Sequence, residues 1–185
     1  MTKYTYYTAS TLDGFLADEN DSLDWLLSQP IDERGPMNIE DFMTSVGAIA
    51  MGRTTYQWLV DHIAASGEEW PYPSVPSFVF THRALTPVHE SIQVVDGTPA
   101  SHRAALEAAA GDKGVWVVGG GDLAAQFATD GMLDELLISY APVTVGSGRP
   151  LFTKPFDFEL LEWARNKAFL MGKYRVVGPR GDANG

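Results

Sequence analysis

The apolar run Val115-Trp116-Val117-Val118 ends in Gly119-Gly120-Gly121 and passes straight into a helical pattern from Leu123 to Thr129. A strand that turns at once into a helix builds a βα unit, and repeated units of that kind give an α/β sheet. Three residues without a Cβ let the backbone approach a ligand closely, and the unpaired N–H groups of a helix start attract an anion. The anion such a turn points to is a dinucleotide pyrophosphate. Gly119, Gly121 and Ala124 satisfy part of the dinucleotide fingerprint, although a tight turn with no ligand uses the same residues. A Rossmann domain carries this motif in its first βαβ unit, with an acid roughly 20 residues later. Here several strands precede it.

Strand and helix signals alternate along most of the chain. Tyr4 to Ser10 is aromatic and β-branched and stops at the turn dipeptide Asp13-Gly14. After a polar loop, Ile39, Phe42, Met43 and Val46 are at helical spacing, which predicts a helix over 38–46, and Ala48 to Met51 predicts a strand. Thr54 or Thr55 is expected to cap a helix through about Ile63, and the proline-rich segment 66–76 to be loop. Phe78 to Thr81 and Ile92 to Val95 predict strands, and Thr98-Pro99 opens a helix that Gly111 ends. Glu135 to Ala141 is again a strand, and Phe158 to Trp163 and Ala168 to Val177 predict an antiparallel pair. The fold class is therefore α/β, with a mostly parallel mixed sheet, flanking helices and a C-terminal antiparallel hairpin. One domain over residues 1–178 and a flexible tail over 179–185 are expected. Arg180-Gly181-Asp182 in that polar terminus is taken as coincidence.

Composition narrows the partners. The net charge of -11 leaves no basic excess to replace counterions around a nucleic acid. With no Cys, disulfides, thiolate nucleophiles and Cys-ligated zinc are excluded, and His62, His82, His89 and His102 lack the spacing for a helical metal pair, so no metal is expected. No signal-peptide pattern opens the chain and no apolar run spans a bilayer, so a soluble, cytoplasmic protein is expected.

Two further strand ends carry anion-binding chemistry. Met51-Gly52-Arg53-Thr54-Thr55-Tyr56 puts a glycine, a guanidinium and hydroxyls where a helix opens, and Phe80-Thr81-His82-Arg83 adds another hydroxyl and more cations. Each alone suits a solvated surface. Together they meet beyond the carboxyl ends of the strands, where open α/β sheets bind ligands.

With those motifs in view, the segments Thr8-Ala9-Ser10-Thr11-Leu12-Asp13-Gly14-Phe15-Leu16-Ala17, Gly52-Arg53-Thr54-Thr55, Val118-Gly119-Gly120-Gly121 and Gly146-Ser147-Gly148-Arg149-Pro150-Leu151-Phe152 resemble the dihydrofolate reductase-like superfamily. Within it the chain is most similar to the C-terminal reductase domain of the bacterial bifunctional riboflavin-biosynthesis deaminase-reductase. The resemblance implies NADPH as cofactor. Its pyrophosphate would lie on Val118, Gly119, Gly120, Gly121, Asp122 and Leu123, with a cis peptide between the first two glycines. Gly52, Arg53, Thr54 and Thr55 would contact phosphate, and Thr81, His82 and Arg83 would hold the adenosine 2′-phosphate. The backbone of Ala9 and Leu16 would hold the nicotinamide carboxamide, and Asp13-Gly14 would begin the loop covering the ring.

On the substrate side the resemblance implies Asp13, Asn38 and Glu40 as catalytic positions. Asn38 stands where dihydrofolate reductases have a carboxylate, and an amide cannot take a proton, which argues against folate reduction. Glu40 and Asp41 are equally ordinary first-turn acids. Asp24-Trp25-Leu26 resembles a loop of the riboflavin-type reductases, while Trp25 also suits a core. The deaminase half of the riboflavin enzyme needs a zinc site of His and Cys, so only reductase chemistry is expected. Its substrate would be a ribosylaminopyrimidine phosphate, with Arg149, Lys154 and Lys173 as candidate phosphate partners. The resemblance also implies a homodimer. A dihydrofolate reductase and a nucleotide-binding module without turnover remain as alternatives.

Overall fold

The computed structural model describes residues 1–181. In chain order it contains β1 (Tyr4–Ser10), β2 (Phe15–Ala17), α1 (Asp24–Leu27), α2 (Ile39–Met43), β3 (Val46–Gly52), α3 (Arg53–Ser66), β4 (Ser77–Phe80) and β5 (Ile92–Val95). A 3₁₀ turn (Pro99–His102) then leads into α4 (Arg103–Ala110), β6 (Gly114–Gly119), α5 (Gly121–Thr129), β7 (Glu135–Tyr140), β8 (Arg149–Pro150), β9 (Phe156–Asn166) and β10 (Phe169–Pro179). Eight strands form one sheet in the order β5-β4-β3-β6-β1-β7-β10-β9, and β2 pairs with β8 beside it. β5 through β7 run parallel, and β10 and β9 close the sheet antiparallel. The expected mixed α/β sheet with its C-terminal hairpin is the observed one.

The parallel strands are covered on both faces, so their sequences read as continuous apolar runs. Tyr4, Tyr6, Ala48, Ala50, Val115 and Val117 face a cluster closed by Leu106 of α4 and Leu123 and Phe127 of α5. Tyr7, Ile49, Met51, Val79 and Trp116 face the other cluster, closed by Tyr56 of α3 with Trp25 and Trp70. Trp25 is thus a core residue.

Several boundaries differ from the sequence expectation for local reasons. The helix expected over 38–46 shrinks to Ile39–Met43. The Thr44 and Ser45 hydroxyls donate to the carbonyls of Asp41 and Phe42 (2.6 and 2.7 Å), and Val46 already pairs with Gly114 of β6. Thr98 accepts from Ser101 N, so Pro99 begins a 3₁₀ turn before α4. β9 and β10 are each longer than expected. β10 reaches Pro179, Arg180 N donates to the Pro155 carbonyl (3.1 Å), and Asp182 of the Arg-Gly-Asp tripeptide lies outside the described residues. Among the described residues no helix is long and apolar enough to cross a membrane.

Candidate active site

β3 and β6 are neighbours in the sheet, with Ala50 opposite Val117 and Met51 opposite Gly119. The helix after β3 leaves toward one face and the helix after β6 toward the other, as their separate core clusters record. Adjacent strands whose helices diverge open a crevice at their carboxyl ends. A cleft of about 640 Å³ lies there.

Gly52 is the N-cap of α3 and Gly120 the N-cap of α5, and neither helix start has a side-chain cap. The expectation that Thr54 or Thr55 caps α3 is corrected: the helix starts at Arg53, so both threonines are helical, with Thr54 exposed and Thr55 half-buried. The first-turn N–H groups of both helices are left for another acceptor. Gly52, Arg53, Thr54 and Thr55 line one wall of the cleft, and Val118, Gly119, Gly120, Gly121, Asp122 and Leu123 line the facing wall. The Gly119–Gly120 peptide is cis, and Gly119 has φ 144°. Gly121 is required by contact, since an added Cβ would lie 2.2 Å from the Pro150 carbonyl oxygen and 2.6 Å from that of Leu151. The Asp122 carboxylate turns along the helix to accept from Gln126 Nε2 (2.7 Å). Arg53 carries the strongest chemical signal: its Nε is shielded from solvent and has no hydrogen-bond partner. A buried guanidinium donor without a partner is costly, and an anion in the cleft would satisfy it.

At one end of the cleft, Ala9 of β1 and Leu16 and Ala17 of β2 form the lining, with Leu23 and Leu26 beside them. The β2–β8 pair also lines the cleft through Arg149 and Pro150. Its loop is fastened by Asp13, which accepts from the Thr11 hydroxyl (2.5 Å) and from Gly146 N (2.8 Å). These bonds, the Thr11 hydroxyl first, hold the Asp13 carboxyl below its ordinary value of 3.8. A lowered folded-state pKa stabilises the ionised loop above that ordinary value, and the contribution is lost as pH falls through the folded value. The protection of the amides at 145–146, relative to their intrinsic exchange rate at the same pH, is therefore expected to fall on acidification below about pH 4, and in Asp13→Ala at neutral pH. Unchanged protection would contradict the fastening.

At the other end, Thr81 and His82 line the cleft after β4, and Gly97 lines it after β5. Arg83 is exposed and outside the lining, with its N–H on the Thr81 hydroxyl (3.1 Å).

The three implied catalytic side chains are not brought into this cleft. Asp13 fastens the loop. Asn38 is buried as the N-cap of α2, accepting from Asp41 N (2.8 Å) and donating to the Gly35 carbonyl (2.9 Å). Glu40 is an exposed first-turn acid of α2. Of the candidate phosphate partners only Arg149 lines the cleft, and it forks onto Asp21 (2.5 and 2.9 Å), whose carboxyl this contact holds below the usual range. Lys154 donates to the Thr129 hydroxyl (3.2 Å) and Lys173 pairs with Glu135 (3.6 Å). Asp21, Trp58 and Pro150 line the cleft without having been expected there. No linear motif marks Asp21 or Trp58, while Pro150 stood inside the quoted Gly146–Phe152 segment.

The RibD C-terminal domain family matches residues 2–172. The uncharacterized Bacillus subtilis protein YwjB is 31% identical over 150 residues, covering 81% of this chain and 82% of its own. A second B. subtilis protein, the uncharacterized YyaP, is 26% identical over 176 residues, 91% of this chain and 90% of its own. A crystal structure from Shewanella sp. PV-4, named for riboflavin biosynthesis, superposes with TM-score 0.78 at 25% identity, covering 94% of this chain and 98% of that one. Acinetobacter baumannii RibD shares the fold with TM-score 0.63 at 16% identity, and the match covers 96% of this chain but 58% of that longer one. Matched over nearly its whole length and folded in the same way, this chain belongs to the RibD C-terminal domain family.

Proposed function

We propose that the protein is an NADPH-dependent reductase of the riboflavin-biosynthesis type, reducing a small heterocyclic or ribosylamino substrate. The observation that carries this reading is the partnerless, buried Nε of Arg53 between two uncapped helix N-termini. That donor set fits a pyrophosphate: a guanidinium with a free donor and two helix starts whose backbone N–H groups lack side-chain caps, lining one crevice. When bound, NADPH supplies the hydride, which leaves the protein to bind, orient and shield. Arg53, Thr55 and the glycine turn would hold the pyrophosphate. The backbone at Ala9 and Leu16 would orient the carboxamide, and Leu16, Leu23 and Leu26 would exclude water from the reacting face.

NADPH oxidation followed by absorbance across ribosylaminopyrimidines, pterins and small carbonyl compounds tests the reading. Oxidation dependent on an aminopyrimidine and absent with dihydrofolate is the expected result. Nucleotide binding without turnover on any of these would favour a binding module instead.

The reading includes a cytoplasmic homodimer with small molecules as its other partners. β9 is an edge strand whose Leu160 and Trp163 are exposed (52% and 67%), a surface suited to a second copy of the chain. Sedimentation should give a dimer, with Trp163→Glu shifted toward monomer. A native monomer would contradict this assignment.

A further inference from the structure

The cleft face of α3 continues past its first turn. Thr54, Thr55, Trp58 and Leu59 all line the cleft, and their spacing of three and four residues puts them on one side of the helix. Leu59 packs on the same core cluster as Ala9 and Leu26, two further lining residues, so these side chains share one face of the sheet. Trp58 is half-buried, and the His62 ring one turn on stacks against its indole at 4.9 Å with the planes 11° apart. With Leu16 and Leu23 beside them, these residues make an apolar wall that ends in a large aromatic surface.

The cations of the cleft are committed elsewhere. Arg53, His82 and Arg149 are the cationic side chains among its described lining residues, set against the carboxylates of Asp21 and Asp122. Arg53 opens α3 at the pyrophosphate crevice, and His82 lies at the β4 end, hydrogen bonded to Asp96. Arg149 forks onto Asp21 through Nε (2.5 Å) and Nη2 (2.9 Å). Asp21 is itself built in: it has φ 59°, and the Asp18 carboxylate accepts from Asn20 N (2.8 Å) and Ser22 N (2.9 Å) on either side of it. A bidentate pair on a fixed loop leaves that guanidinium without a net charge to offer. A substrate phosphate would bring roughly −1.5 to −2 charges to a region already neutral.

We propose that the substrate is a planar heterocycle without a phosphate group, stacked on Trp58, and that the Arg149–Asp21 pair disfavours its phosphorylated form. The inference rests on the reductase reading and names the substrate class within it. Trp58 recognises the ring, and Asp21 withholds Arg149 from an anion.

Calorimetric titration of the chain saturated with NADP⁺ tests it, with a ribitylaminouracil and its 5′-phosphate as the two probes. The native chain should bind the unphosphorylated probe about tenfold more tightly than the phosphate. Trp58→Leu should weaken that probe about tenfold and Trp58→Phe by less, while both keep the NADPH dissociation constant within about twofold of native. Asp21→Asn, which releases Arg149, should tighten the phosphate about three- to tenfold. Tighter native binding of the phosphate overturns the inference, as does binding of neither probe or an Asp21→Asn variant with the native preference. So does a Trp58→Leu variant that loses NADPH along with the probe, the result expected if the indole carried the nucleotide. Failure of the native chain to bind NADPH, measured first, overturns the reductase reading instead.

Discussion

Arg53→Ala is expected to weaken NADPH binding about tenfold to a hundredfold, the equivalent of a charge-assisted contact of roughly 1.5 to 3 kcal/mol. The effect should fall on binding and leave the fold intact. Arg53 is the first residue of α3 and its Nε has no partner within the protein, so truncation breaks no internal hydrogen bond at that atom. Removing an unpaired buried donor relieves a cost in the free protein. The unliganded variant should therefore melt at or slightly above the native temperature while losing nucleotide affinity. Arg53→Lys keeps the charge but loses the fork, and should recover only part of the affinity. An unchanged dissociation constant for Arg53→Ala would remove the guanidinium from the site.

Gly121→Ala is expected to destabilise the folded chain by about 3 kcal/mol, because a Cβ there meets backbone on the opposite segment. The added carbon would lie 2.2 Å from the Pro150 carbonyl oxygen and 2.8 Å from the Leu151 carbonyl carbon, and backbone cannot rotate away as a side chain can. Relief requires moving β8 off α5, which shifts the β2–β8 pair whose Leu16, Ala17, Arg149 and Pro150 line the cleft. Stability and nucleotide affinity should fall together. Gly52→Ala is the matching control: its Cβ would meet the Gly119 carbonyl oxygen and Gly120 N at 3.7 Å, ordinary contact distance. It should change the unfolding free energy by less than about 1 kcal/mol. Equal denaturant midpoints for the two alanine variants would contradict the contact argument.

The fold was largely legible in the chain because its parallel strands are buried on both faces and end at glycines or turn residues. Val115 to Gly121 is the clearest case: the apolar run, the glycine turn and the helix occupy the places that the pattern predicts. Short elements carried too few residues for a period. β2 and β8 pair over only a few positions, and their partnership depends on chain segments more than a hundred residues apart. Val46 misled the helix reading because one β-branched residue at i, i+3 spacing serves equally well as the first residue of a strand.

The cleft was legible wherever backbone chemistry defines it, at Gly52-Arg53 and at Gly119 to Gly121. Side-chain roles were less so, since each depends on a partner that the linear sequence does not reveal. Asn38 has the residue type of a substrate contact and the bonds of a helix cap. Arg149 has the charge for a phosphate and spends it on Asp21. The pairing of His82 with Asp96 joins two neighbouring strand ends and has no local signature in the sequence.

A nicotinamide dinucleotide in the crevice between β3 and β6 is tested most directly by titration of the native chain with NADPH, followed by the nucleotide's own fluorescence. A saturable change that Arg53→Ala shifts to at least about tenfold higher concentration is the predicted result. No saturable change with the native chain, or a curve that Arg53→Ala leaves in place, would contradict it.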